Sequence, residues 1–283
     1  LLLPPSYQIS YYGRHASVSL EHQLNLMSSS GDIARISALK RQSRAEQGLP
    51  HNLETVVFCN FNKIDKFDLL SVGVWMSIMR RLPRSVLWLL EPTKVDESRR
   101  DQDDQGLVLK RQLLTIVAAE GIAPARIVFA PRVEKGAHLK RMLAADLFLD
   151  TFTYGAHSTA TDALRAGLPV LTVAGPAFPS RVGLSLYASL CSNMLEDREA
   201  TEGWDPSPAC PFDILVRHSV RDFEDTAVTL TRFPERIMSL QVELAQVVVQ
   251  AVGLFNHTRS TVDFVHAAVS VHAIDSLVNN GRH

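Results

Sequence analysis

From Leu53 to about residue 195, the sequence alternates a short apolar run with a longer stretch of helical periodicity, five times over. The runs are Thr55 to Cys59, Ser85 to Leu90, Arg126 to Ala130, Asp146 to Asp150 and Pro169 to Val173. Between them, Phe67, Leu70, Val74, Trp75, Ile78, Met79 and Leu82 recur at helical spacing up to a Pro83 stop. Further helices are expected over residues 106–120 (closed by Gly121), 136–144, 158–166 and 181–190, with a soluble charged loop from Lys94 to Gln105. Apolar strands that alternate with helices are buried on both faces, which requires a parallel sheet covered by helices on either side. The expected fold is therefore α/β: a Rossmann-like, doubly wound parallel sheet followed by C-terminal helices.

The flanks read differently. Ser28-Ser29-Ser30-Gly31, the charged run Lys40 to Arg44 and Gly48-Leu49-Pro50 punctuate residues 1–52, read as the remnant of a preceding domain and a connector. The chain opens Leu1-Leu2-Leu3-Pro4-Pro5, with neither an initiator methionine nor signal-peptide features, and is expected to continue a longer polypeptide. Residues 53–217 form the expected Rossmann-like domain. Within it, 196–216, containing Gly203, Pro206, Pro208 and Pro211, read as an irregular loop. Residues 218–283 read as helices packing back on the domain, at about 220–232, 235–252 and 259–278. No repeat of fixed period is present.

Composition narrows the function classes. With 29 Lys and Arg against 30 Asp and Glu, the 283-residue chain lacks the basic excess of a phosphate-neutralising nucleic-acid binder. At 46% apolar residues it can fill a core, yet no run approaches the roughly 18–20 residues of a membrane span. Cys59, Cys191 and Cys210 show no pairwise metal spacing and leave one cysteine over, which suggests a reducing compartment and no disulfide framework.

Ligands of open parallel sheets bind beyond the carboxyl ends of the strands. Three such ends are polar. In Cys59-Asn60-Phe61-Asn62-Lys63-Ile64-Asp65-Lys66, Lys63 and Lys66 either meet a phosphate as mobile point charges or are solvated loop lysines. In Pro131-Arg132-Val133-Glu134-Lys135-Gly136-Ala137-His138, Lys135 and His138 share a helix face, where an imidazole can pack on a base and an ammonium can bond a sugar hydroxyl; a first-turn histidine can equally be just exposed. The third, Asp150 to Asp162, carries most weight. A Gly-containing turn leads into a hydroxyl-rich helix start, where free N–H groups and the dipole favour an anion. His157 lies beside that start, Ser158 and Thr159 add hydroxyls, and Asp162, one turn on, can reach a ribose diol. Ser158 as an N-cap and Asp162 as a dipole partner are compatible readings. Neither a dinucleotide glycine fingerprint nor a P-loop occurs.

The segments FCNFNKIDK, RIVFAPRVEKGAHLKRMLAADLFLDT and YGAHSTATDALRAGLPVLT, in this order and at these intervals, resemble the C-terminal catalytic half of O-linked N-acetylglucosamine (O-GlcNAc) transferases. They resemble the related plant-type protein O-fucosyltransferases somewhat less. Gly48-Leu49-Pro50 and Gly253-Leu254-Phe255-Asn256 also fit. The likeness implies the donor-binding half of a two-Rossmann (GT-B), inverting glycosyltransferase that uses UDP-GlcNAc and protein Ser/Thr acceptors, needs no metal or other cofactor, and works in the cytoplasm or nucleus. It implies tetratricopeptide repeats and a first Rossmann domain upstream, and neither nucleic-acid nor membrane partners. By motif position, Lys66 neutralises the pyrophosphate, with Lys63 beside it where the family often has glutamine. Lys135 binds the ribose and His138 packs on the uracil. Ser158 and Thr159 hold the phosphates, with His157 beside them in the donor site, and Asp162 bonds the ribose. Gly13-Arg14-His15-Ala16 resembles a GDHA motif, which makes His15 a candidate catalytic histidine. Alternatives are a protein O-fucosyltransferase using GDP-fucose, disfavoured by His157 and Asp162, and a non-catalytic nucleotide-sugar-binding fragment.

Overall fold

The computed structural model describes residues 18–30, 33–92, 100–196 and 210–249. His15, Gly253 to Asn256 and the helix expected over 259–278 lie outside the described residues. Six strands form one parallel sheet: β1 (Val56–Asn60), β2 (Ser85–Leu90), β3 (Ile127–Ala130), β4 (Leu147–Leu149), β5 (Val170–Val173) and β6 (Val216–Arg217). Their order is β3-β2-β1-β4-β5-β6, so the winding reverses between β1 and β4. The expected doubly wound α/β fold is observed. Phe58, Trp88, Phe148 and Leu149 are fully or almost fully buried in the strands, each removing apolar surface worth about 1.5–3 kcal/mol.

The crossovers are helices: α3 (Leu69–Arg81), α4 (Arg100–Ala119), α5 (Lys135–Arg141), α6 (Ser158–Arg165) and α7 (Val182–Glu196), followed by α8 (Val220–Arg232) and α9 (Pro234–Val249). Asp68 caps α3 by accepting the Ser71 N–H at 2.8 Å, and Ser219 caps α8 in the same way. Helix α3 buries Val72, Trp75, Met76 and Met79 and ends before Pro83, whose ring disfavours a helical residue ahead of it. Gly121, at φ 70°, ends α4 in the left-handed conformation that its lack of a Cβ permits.

Several local expectations need correction. The charged stretch expected as a loop up to Gln105 is helical from Arg100; its sequence RDQDDQ carries no apolar period to detect. Helix α7 continues six residues past Leu190. Within the segment expected to be irregular, a 3₁₀ turn at Asp213–Leu215 leads into β6, which is too short at two residues to show an alternation. Cys191 and Cys210 are joined by a disulfide, against the expectation of none. The end of α7 and the return toward β6 bring their Cα atoms to 5.8 Å although 19 residues separate them in sequence. Cys59 is a free, buried thiol.

Ahead of β1, residues expected to be remnant and connector form α1 (Val18–Ser30) and α2 (Ile33–Glu46). Leu20, Leu24 and Met27 of α1 are buried, and α1 lies along α9, where the Gln246 side-chain amide donates to the Ser28 carbonyl at 3.3 Å. Helix α2 carries a buried cluster beneath the sheet. Asp146 receives Lys40 at 2.6 Å and Arg44 at 2.5 Å, and also accepts the Val57 N–H at 2.7 Å. Arg44, only 1% exposed, further donates to the carbonyls of Ala144, Asn52 and Thr55. Lys40 donates to Gln241 of α9 at 3.0 Å. Burial alone raises the Asp146 carboxyl, but the two cations outweigh it and hold it below its usual range.

Candidate functional site

The crevice at the reversal point, beyond the carboxyl ends of β1 and β4, is stapled at its base by two asparagines. Asn60 donates to the Leu149 carbonyl at 2.7 Å, and Asn62 donates to the Thr151 hydroxyl at 3.2 Å. The Asn62 backbone N–H is itself held by Asn60 Oδ1 at 2.8 Å, and the Asn62 Oδ1 is buried without a hydrogen-bond partner. The two loops that flank the crevice are thereby brought together.

From the β1 side, a 3₁₀ turn at Ile64–Lys66 lifts Lys66 across the crevice. Its Nζ donates to the Gly155 carbonyl at 3.3 Å and lies 4.2 Å from the centroid of the Tyr154 ring. Burial pulls the ammonium below the usual lysine range, and Asp150 and Asp65 pull it back. Lys63 stands at the start of the same turn, exposed to solvent.

From the β4 side, the turn 151–156 delivers helix α6. Its N-cap is His157 rather than Ser158, and no side chain caps the helix. Ser158, exposed, and Thr159, partly buried, form its first turn, whose N–H groups have no partner within the helix. The His157 ring stacks on Tyr154 at 4.8 Å and an interplanar angle of 19°, and its Nε2 lies 3.2 Å from the Pro179 carbonyl. Burial lowers the imidazole pKa and Lys66 adds to this, while the Pro179 contact opposes it.

The third loop contributes from α5. Lys135 is ion-paired with Asp162 of α6, so the two residues expected at a ribose converge on one point. His138 packs edge-on against Phe61, with ring centroids 5.2 Å apart, and its Nδ1 lies 2.7 Å from Arg141 Nη2. An arginine only donates, so Nδ1 is the lone-pair nitrogen and the proton sits on Nε2. Burial first, then Arg141, Lys135 and Arg132, push the His138 pKa down to about 3, so the ring is neutral at physiological pH.

Lys66, Lys135, His138, His157, Ser158, Thr159 and Asp162 thus border one corner of the sheet, with Lys63 at its rim. Sequence reasoning passed over Asp150, Tyr154, Gly155 and the two asparagines. The available signal was an acidic last residue on an apolar strand, followed by a glycine turn. Among the described residues, no three His, Cys, Asp or Glu side chains gather as a metal site, and no helix is long and apolar enough to cross a membrane.

Comparison with known proteins places this geometry in a family. The sequence pattern of glycosyl transferase family 41 matches residues 6–205. A probable UDP-N-acetylglucosamine–peptide N-acetylglucosaminyltransferase SEC of Arabidopsis thaliana is 34% identical over 204 residues, covering 72% of this chain and 17% of that protein. The UDP-N-acetylglucosamine–peptide N-acetylglucosaminyltransferase of Caenorhabditis elegans is 35% identical over 148 residues, 52% of this chain and 12% of its own. The chain therefore spans less than a fifth of these relatives. In structure it is similar to a Thermobaculum terrenum O-GlcNAc transferase, with a TM-score of 0.57 at 20% identity over 75% of this chain and 35% of that one. It also resembles a sucrose-phosphate synthase of Thermosynechococcus elongatus, with a TM-score of 0.53 at 16% identity over 83% of this chain and 51% of the other. The two structural likenesses speak for the fold alone, whereas the sequence match covers well over half of the residues. The chain belongs to glycosyl transferase family 41.

Proposed function

We propose that this chain is the donor-binding half of a protein O-GlcNAc transferase-like enzyme, which moves N-acetylglucosamine from UDP-GlcNAc to Ser or Thr hydroxyls of proteins with inversion. The observation that carries the reading is the position of Lys66 Nζ, 3.3 Å from the Gly155 carbonyl at the uncapped start of α6. An ammonium and the uncapped start of a helix face each other across a crevice at the winding reversal, an arrangement that suits an anion.

In this reading the pyrophosphate lies between Lys66 and the first turn of α6, exchanging the Gly155 carbonyl for phosphate oxygens on the ammonium. Ser158 and Thr159 donate to the phosphates, and Lys63 adds a solvent-exposed charge. The ribose diol enters the Lys135–Asp162 pair, with the carboxylate accepting from the hydroxyls and the ammonium donating to them. The neutral His138 offers a ring face and an Nε2–H to the base. As the glycosidic bond to phosphate breaks, negative charge grows on the leaving oxygen, and Lys66 with the helix N–H groups stabilises it. The same groups do the work of a divalent cation, so turnover is expected to survive chelation. The acceptor hydroxyl and any base that deprotonates it come from outside the described residues, and His15 is the candidate within this chain.

Calorimetric titration with UDP and with GDP tests the reading. UDP is expected to bind and to be displaced by UDP-GlcNAc. Preference for GDP would make the enzyme an O-fucosyltransferase. Binding of neither would refute the nucleotide site. A transfer assay on the complete gene product with a Ser/Thr peptide, with and without EDTA, then separates a transferase from a non-catalytic binding module.

A further inference from the structure

We infer that Asp150 is the positioning residue of this site: its carboxylate closes the turn 151–156, and so fixes both the Gly155 carbonyl that meets Lys66 and the direction from which α6 enters the crevice. The assignment rests on the donor-binding reading above. Asp150 follows directly on β4 and is 1% exposed. One carboxylate oxygen accepts from the N–H of Thr151 at 2.8 Å and from the N–H of Ala156 at 2.7 Å, the two ends of the turn. The other accepts from the Thr172 hydroxyl on β5 at 2.8 Å. The clamp leaves no room beneath it, because a Cβ on Gly155 would stand 3.2 Å from Asp150 Oδ2 and 3.1 Å from the Pro179 carbonyl. The Thr151 hydroxyl, bonded to the Tyr154 carbonyl at 2.6 Å, and the Gly155 N–H, bonded to Pro179 at 3.0 Å, complete the fold of the turn.

All three groups around the carboxylate donate to it, which suits the ionised form. Protonation converts charge-assisted bonds to the turn amides into weaker neutral ones and removes the negative charge that faces Lys66. Burial pushes the Asp150 carboxyl up to about 6, against the opposing pull of Ala156, Thr172, Thr151 and Lys66. The other titratable groups near it are Lys66, reaching from the turn after β1, Tyr187 of α7, and His157 just beyond the clamped turn. Tyr187 does not change charge near neutrality, because burial raises the phenol far above its usual range. Burial lowers Lys66, and the Asp150 charge raises it again. His157 titrates below its ordinary value and is the group to be separated from Asp150. Donor affinity is therefore expected to depend on pH through Asp150, a residue that need not touch the donor.

The test is calorimetric titration of this chain with UDP-N-acetylglucosamine between about pH 5 and 8. The pyrophosphate of this ligand is a diester and keeps a constant charge over that range. The wild-type chain is expected to lose affinity severalfold as pH falls through about 6. Asp150→Asn is expected to bind roughly tenfold more weakly at neutral pH and to show no break. Thr172→Val, which removes one donor and leaves the turn amides alone, is expected to keep the break and move it upward. His157→Gln is expected to leave the break where it was. A second readout is independent of the donor: hydrogen-exchange protection of the Ala156 amide is expected to fall below pH 6 in the wild type and to be low at every pH in Asp150→Asn. If wild type and Asp150→Asn share one pH profile and one level of Ala156 protection, or if the break disappears with His157→Gln, the assignment is wrong while the donor site stands. If the wild type binds no UDP-N-acetylglucosamine at any pH, the donor reading falls and takes the role of Asp150 with it.

Discussion

Lys66 and Gly155 lie on opposite sides of the point where the sheet reverses its winding, yet the lysine Nζ donates to the glycine carbonyl at 3.3 Å. In the proposed reading, a leaving diphosphate finds its countercharge there. If the proposed transfer holds, Lys66→Ala in the complete gene product is expected to raise the barrier by about 2–4 kcal/mol, lowering kcat roughly 30- to 1,000-fold. Steady-state transfer from UDP-GlcNAc to a Ser/Thr peptide measures it. Turnover within threefold of wild type would remove Lys66 from the chemistry.

The Lys135–Asp162 pair predicts how the ribose is read. Asp162 is 6% exposed and its carboxylate faces an ammonium, so a diol entering the pair accepts and donates together. Asp162→Asn is expected to weaken UDP binding roughly tenfold, about 1.5 kcal/mol. The 2′-deoxy analogue of UDP should lose a similar factor on the wild-type chain and little on Asp162→Asn. Equal losses on both proteins would place the ribose elsewhere.

His138 is expected to stay uncharged. Its pKa, pushed to about 3 by burial and by Arg141, Lys135 and Arg132, lies below the range in which histidines usually titrate. The imidazole resonances of His138 in an NMR titration should be flat from about pH 5 to 8. A midpoint near 6.5 would show a cationic ring facing the base.

Beneath the sheet, Arg44 is expected to dominate stability. Arg44→Leu leaves Asp146 with Lys40 and the Val57 N–H, and takes the guanidinium from the carbonyls of Asn52, Thr55 and Ala144. Removing one partner of such a buried cluster costs about 3–5 kcal/mol, read as a lower midpoint in urea unfolding. A change below 1 kcal/mol would mean that the cluster is solvated.

The two buried aspartates should give stability opposite slopes with pH. Asp146 has a lowered folded pKa, so its contribution is present above the unfolded value near 3.9 and is lost as pH falls through the folded value. Asp150 has a raised one, about 6, so its contribution is full below roughly 3.9 and fades as pH rises to 6. Relative to Asp150→Asn, the wild-type urea midpoint should therefore fall steadily as pH rises from about 4 to 6, and the two should run parallel above it. Parallel curves throughout would mean that Asp150 titrates normally.

The central sheet was legible because β1 to β5 are buried on both faces and therefore continuously apolar. The same pattern located the strand ends, and with them Lys66, Ser158, Thr159 and Asp162. What escaped notice had no periodic signal. Strand β6 has two residues, and α2 and the first turns of α4 are polar enough to pass for linker. The Cys191–Cys210 bridge depends on where α7 ends, which cysteine counting does not reveal. At the site, the asparagine staple and the Asp150 clamp are single side chains bonding to backbone groups of other segments. Tertiary geometry selects those partners, whereas the cationic and hydroxyl groups announce themselves by type.

The guanidinium of Arg44 gathers carbonyls that precede both central strands, at the end of the sheet opposite Lys66 and Gly155. It therefore sets the phase of β1 against β4. A slip of one residue there would carry the far loops past each other by about 3.3 Å, as much as the whole reach of the lysine to the carbonyl. The geometry of the Lys66–Gly155 corner is thus set on the far side of the domain, by an arginine at the other end of the strands.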